Sequence, residues 1–155
     1  MKKLTLLTSL LLLFIFCGAQ IKVVHLLTEN KLNPIGIGVA TPRFSWALES
    51  AKRNLTQSAY EIKITEGKKI VWSSAKVNSS QSVFVEYAGP ALSSNTKYNW
   101  QVRVWDNQGV VSEWSETHFF LTALLSVAEW QAKWIIPGFV EATNRPSPIF
   151  RKQFV

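Results

Sequence analysis

The chain has 155 residues, with 17 Lys and Arg against 10 Asp and Glu, a 47 % hydrophobic fraction, and seven Trp, nine Phe and three Tyr. That composition supports one packed domain of about 100 residues and excludes a disordered chain, which would be poorer in apolar groups and richer in charge. Seven Gly and six Pro exclude a collagen-like repeat, and one Cys with two His falls short of the usual zinc ligand set.

Met1-Lys2-Lys3 opens the chain with positive charge, and Leu4 to Phe16 follows as an apolar run interrupted only by Thr5, Thr8 and Ser9. Cys17-Gly18-Ala19 then supplies small residues. This is the layout of a secretory signal peptide over residues 1–19, cut before Gln20, and it predicts an exported chain, periplasmic or extracellular. The run is shorter than the roughly 20 apolar residues of a membrane span. Lipid attachment at Cys17 is the lesser alternative, because lipoprotein signals favour a small residue before the Cys and Phe16 is bulky. Loss of the leader takes the net charge from +7 to +5 and removes the one Cys, so the exported domain must be held by packing alone. No basic run exceeds two residues, which argues against a nucleic-acid partner.

Val23 to Leu27 reads as a first strand, followed by a loop around Asn33-Pro34-Ile35-Gly36. Pro42 then enters Arg43–Glu49, where Phe44, Trp46 and Leu48 share one face by period-two alternation. Ser58 to Thr65 repeats the pattern, with Tyr60, Ile62 and Ile64 opposite Glu61, Lys63 and Thr65. A turn at Glu66-Gly67-Lys68 leads into Lys69 to Trp72, and Val83, Val85 and Tyr87 alternate before Gly89-Pro90. Thr96 to Asp106 is the clearest strand: Tyr98, Trp100, Val102 and Val104 face one way, and Asn99, Gln101, Arg103 and Trp105 the other. Asp106-Asn107-Gln108-Gly109 has hairpin-turn chemistry, with Val110 to Leu121 expected as the return strand. About seven short strands at such spacing predict an all-β fold, an immunoglobulin- or fibronectin-III-like antiparallel sandwich over residues 20–122.

Tyr98, six residues after Leu92, is expected to lock a corner by donating its hydroxyl to nearby backbone. Ser126 with Glu129 reads as a capped single helical turn or short connector. Ile149 to Val155 alternates like a strand, so residues 123–155 are read as a connector and the first strand of a second β domain.

A catalytic constellation is absent from the pattern: no nucleophile elbow, phosphate loop or metal-binding helix motif occurs. His25 and His118 are isolated and read as surface or packing residues. Glu49, Glu61, Glu66, Glu86, Asp106, Glu113, Glu116, Glu129 and Glu141 are expected as solvated charge, because so small a sandwich offers no deep cleft in which to tune an acid. No catalytic residue, metal or cofactor is predicted. The outward aromatics are the exception: Arg103, Trp105 and Trp114 could form a cation–aromatic stack, a contact with another domain, or a surface on which sugar rings lie.

Several segments resemble the opening of bacterial α-L-rhamnosidases: Asn33-Pro34-Ile35-Gly36-Ile37, Thr41-Pro42-Arg43-Phe44-Ser45-Trp46, Gln57-Ser58-Ala59-Tyr60 and Val71-Trp72-Ser73-Ser74. Tyr87 to Leu92, Tyr98 to Asp106 and Trp114-Ser115-Glu116 continue the likeness. Trp130 to Ile135 and Phe150 to Phe154 are similar to the start of that family's next module. Gly36 to Ala40 departs from it, since relatives usually carry an acidic residue before the Thr-Pro. The resemblance implies a fibronectin-III-like accessory module of an exported enzyme that removes terminal L-rhamnose by inverting hydrolysis, with its acid and base on a later α/α barrel. It implies downstream domains of the same enzyme as partners, and no catalytic position falls on this chain. The rival reading is a stand-alone exported module that binds glycan or protein through Arg103, Trp105 and Trp114; a third is an inert remnant.

Overall fold

The computed structural model describes residues 21–133, 135 and 149–153. The expected leader over residues 1–19, with Cys17, lies outside them, as do Glu141 and most of the expected second-domain entry.

Alternation sets the main strands. Among the described residues eight form: β1 Lys22–Thr28, β2 Ile35–Ile37, β3 Arg43–Glu49, β4 Gln57–Glu66, β5 Lys69–Ser73, β6 Val85–Glu86, β7 Lys97–Asp106 and β8 His118–Thr122. They make a three-stranded sheet in the order β1-β3-β6 and a five-stranded sheet in the order β2-β8-β7-β4-β5. Every pairing is antiparallel except β2 with β8. The two sheets close on each other as an all-β sandwich, as the spacing predicts.

The inward residues of β3, β4 and β7 are those the alternation marks. Phe44, Ile62, Ile64, Val102 and Val104 are fully buried, and Trp46, Tyr98 and Trp100 nearly so. Phe44 meets Trp100 across the two sheets at 4.6 Å between ring centroids, and Tyr98 stacks on Phe120 of β8 at 5.4 Å. The Trp46 indole N–H donates to Gln57 Oε1 at 3.0 Å, and the Gln57 amide donates onward to the carbonyls of Ser79 and Gln81. A buried polar pair is therefore tied to backbone through the Gln57 amide, which avoids the cost of an unmade hydrogen bond.

Four expectations are corrected. The loop after Asn33 contains β2, whose ladder Ile35↔Leu121 and Ile37↔Thr122 covers an otherwise open edge of β8. Three residues are too few to show a period, and Gly36 at a φ of 81° lets the chain turn there. Val83 does not face the core; it is exposed because Phe84 takes a φ of 54°, so only Val85 and Tyr87 keep the alternation. The return strand begins at His118 rather than Val110. At the corner, the Tyr98 hydroxyl accepts from the Ser93 N–H at 2.9 Å instead of donating. The corner is still locked, from the other direction.

Ser126 caps a single 3-10 turn, Val127–Glu129, its hydroxyl accepting from the Ala128 N–H. Residues 149–153 lie in no strand, with Ile149 and Phe150 exposed.

Candidate functional site

The outward face of β4 and β7 is polar and aromatic by the same alternation that fills the core. The register sets Glu61 opposite Arg103 and Lys63 opposite Gln101. Glu61 and Arg103 form an ion pair at 2.7 Å, and Ser73 on β5 donates to the other oxygen of Glu61 at 2.9 Å. The guanidinium is thereby fixed in place on the sheet.

Arg103 then lies against two indoles. Its guanidinium carbon is 4.7 Å from the Trp114 ring centroid and 5.3 Å from that of Trp105. Lys63 reaches over Trp114 at 4.3 Å, and Lys76 over Trp105 at 4.8 Å. The five groups form a chain of alternating cation and ring: Lys63, Trp114, Arg103, Trp105, Lys76. Each contact is worth about 0.5–1 kcal/mol when exposed. Ala59, opposite Trp105 in the ladder, is almost completely covered.

Arg103, Trp105 and Trp114 are therefore brought together as a stack. Sequence alone does not place Lys63 and Lys76 in it: Lys63 reads as an outward residue of its strand, and Lys76 lies in the loop after β5, where alternation gives no phase. Two cations lie against each indole, so the aromatic surface available for stacking a sugar is reduced.

Trp114 reaches this position because residues 110–117 do not run as a ladder strand. Only Val111 bridges Trp105. Beyond it, the Ser112 N–H donates to the Val104 carbonyl at 2.8 Å, and the Ser112 hydroxyl accepts the Val104 N–H at 3.0 Å. Ser115 repeats both bonds with Val102. Three residues on this segment thus match two on β7, and the excess swings Glu113 and Trp114 outward.

The remaining candidates are scattered. Exposed His25 occupies a bulge in β1 with a φ of 51°, and His118 starts β8 with a buried, unpartnered Nδ1. Asp106 is not solvated as expected: it is buried, and its Oδ1 accepts the N–H groups of Gln108 and Val110 at 2.9 and 2.8 Å, closing the hairpin turn. Glu49, Glu66, Glu86, Glu113, Glu116 and Glu129 are exposed. Glu29, not among the carboxylates singled out, pairs with Arg43 at 2.6 Å on the three-stranded sheet. The Arg43 hydrogen bonds hold its carboxyl below the usual carboxylate range. Among the described residues no group of three or more His, Cys, Asp or Glu could hold a metal ion, and no helix is long and apolar enough to cross a membrane.

Residues 23–126 match the family model described as "Rha78A-like, N-terminal immunoglobulin domain". The chain is 43 % identical over 112 residues to an α-L-rhamnosidase of Streptomyces avermitilis, covering 69 % of this chain and 11 % of the relative. It is 40 % identical over 152 residues to an α-L-rhamnosidase of Formosa agariphila, covering 87 % of this chain and 16 % of the relative. The crystal structure of the Streptomyces avermitilis α-L-rhamnosidase complexed with L-rhamnose is similar in fold, with a TM-score of 0.72 at 40 % identity over 76 % of this chain and 12 % of that one. The chain thus spans between 11 % and 16 % of the length of these two curated relatives.

Proposed function

Since the chain belongs to the family of Rha78A-like N-terminal immunoglobulin domains, we propose that it is the N-terminal accessory module of an exported α-L-rhamnosidase that hydrolyses terminal L-rhamnose from glycans. The module scaffolds and does not catalyse. Residues 1–19 are its leader, 20–122 the sandwich, and 123–155 the connector and first strand of the following β domain.

The observation that carries this reading is the family match over residues 23–126, taken with relatives that are α-L-rhamnosidases many times the length of the chain. Three of the carboxylates are committed to other work. Glu29 and Glu61 are spent on ion pairs and Asp106 on a turn, and no two of these three face each other across a cleft. The partners are downstream domains of the same polypeptide. Leu124, Val127 and Trp130, all exposed where the chain leaves β8, are apolar surface suited to them.

Deleting residues 20–122 from the parent enzyme tests the reading. The truncated enzyme should lose thermal stability and soluble yield while its catalytic barrel, where folded, keeps its specificity. The isolated chain should release no rhamnose from an aryl rhamnoside. Turnover by the chain alone that disappears on changing one of its carboxylates would refute the accessory role. Export is checked by the mass of the secreted chain, which should begin at Gln20.

A further inference from the structure

The segment that carries Trp114 outward also leaves a space beside it. Against the start of β1 it forms an open groove of about 320 Å³, lined by Ile21, Val23 and Trp114 together with Lys22, Glu113 and Glu116. A smaller pocket of about 80 Å³ shares Lys22, Val23 and Glu116 with it and adds His25 and His118. The two adjoin at those shared residues, on the side of β1 that meets the Glu113–Glu116 segment.

Its polar groups are uncommitted. The carboxylates of Glu113 and Glu116 and the ammonium of Lys22 have no partner among the described residues. Trp114, by contrast, is held by Lys63 and Arg103, so a ligand would not have to order that side chain.

We propose that this groove binds a single saccharide unit. A sugar ring has an apolar face for the part of the Trp114 indole that lines the groove, beside the buried Ile21 and Val23, and hydroxyls that can donate to both carboxylates and accept from Lys22. Other occupants fit less well. Two carboxylates against one ammonium disfavour a phosphate or other anion, and an apolar peptide would strip water from three charges without replacing it. The volume lies near the lower end of the range for small-molecule sites, which suits one ring rather than an oligosaccharide. The binding surface is thus the groove beside the stack and not the ring faces inside it. This inference rests on the carbohydrate-enzyme reading above for its choice of ligand class.

The test is a titration of the ¹⁵N-labelled chain with methyl α-L-rhamnopyranoside, with glycerol as the control polyol. Saturable shifts are expected at the Trp114 indole and at the amides of Val23 and Glu116, with a dissociation constant on the order of 1 mM. Glu113→Gln and Glu116→Gln should each weaken binding about tenfold. Neither carboxylate holds the fold together, so both variants should keep the parent melting temperature. Absence of saturable shifts, an equal response to glycerol, or unchanged affinity in both variants overturns the proposal. The scaffolding role would survive that result, because it is read from the stability of the parent enzyme on deletion.

Discussion

The hydroxyl of Ser115 stands where a neighbouring strand would place a carbonyl: it accepts the Val102 N–H at 3.0 Å while the Ser115 N–H donates to the Val102 carbonyl at 2.9 Å. The same hydroxyl donates to the Glu116 carbonyl, so nothing in the exchange is left unsatisfied. Ser112 does the same for Val104. Side chains have replaced a ladder without orphaning the buried amides of β7.

Ser115→Ala should therefore cost about 1–3 kcal/mol, the range for leaving a buried donor unmade, although it deletes only one oxygen. Amide exchange gives the sharper readout. Protection at Val102 should fall by more than at Val104, whose acceptor on Ser112 remains. Equal loss at both would mean the two serines act as one unit.

Trp100 and Trp105 are close in sequence and opposite in phase. Trp100 is 1 % exposed and packs on Phe44, whereas Trp105 lies on the outer face between two cations. Trp100→Ala should destabilise by about 3–5 kcal/mol as a large-to-small core change. Trp105→Ala should cost about 1–2 kcal/mol, the sum of two exposed cation–π contacts. Urea denaturation of the two variants measures the difference, and equal losses would mean the outer stack is as tightly packed as the core.

Arg103 is the centre of the stack, touching both indoles and Glu61. Arg103→Ala should cost about 1.5–3 kcal/mol from two ring contacts and a partly screened ion pair. Arg103→Lys should recover less than half of that, because an ammonium cannot present a planar face to two rings at once. Salt divides the terms: raising ionic strength should shrink the ion-pair share and leave the ring contacts largely intact. A lysine variant as stable as the parent would reduce Arg103 to a simple positive charge.

Alternation made the centre of this fold legible and failed at its margins for physical reasons. β3, β4 and β7 each bury one face, and a one-residue slip would turn that whole face outward, so their sequences state their register. Phe44, Ile62 and Val102 were visible in this way. β2 and β6 are too short to have a period, and Phe84 breaks the run at a positive φ. Between Val110 and Thr117 the hydrogen bonds to β7 come largely from Ser112 and Ser115, whose spacing of three matches no strand period, so a segment that reads as a return strand is not one. The site followed the same division. Arg103 and Trp105 were visible because they lie in the outward phase of a regular strand. Trp114 was visible only as an aromatic after a turn, and Lys76 sits in a loop where sequence gives no direction. Asp106 looked solvated because turn carboxylates usually are; its burial is set by the turn folding back over it.

The last expectation concerns acid. Glu29 follows β1 and grips Arg43 through both carboxylate oxygens, with bonds to the guanidinium and to the Arg43 N–H. These bonds favour the charged carboxylate and lower its pKa in the folded chain, whereas the unfolded chain titrates near the ordinary value of about 4.3. A depressed folded pKa gives a stabilisation that is complete above the unfolded value and is lost as the pH falls through the folded one. The thermal midpoint should therefore be flat with respect to this pair near neutrality and fall as the pH drops below about 4. Glu29→Gln removes the charge at every pH, so its midpoint should lie below the parent's at pH 7 and converge on it in acid. Two curves that stay parallel down to low pH would show that the pair contributes by its shape and not by its charge.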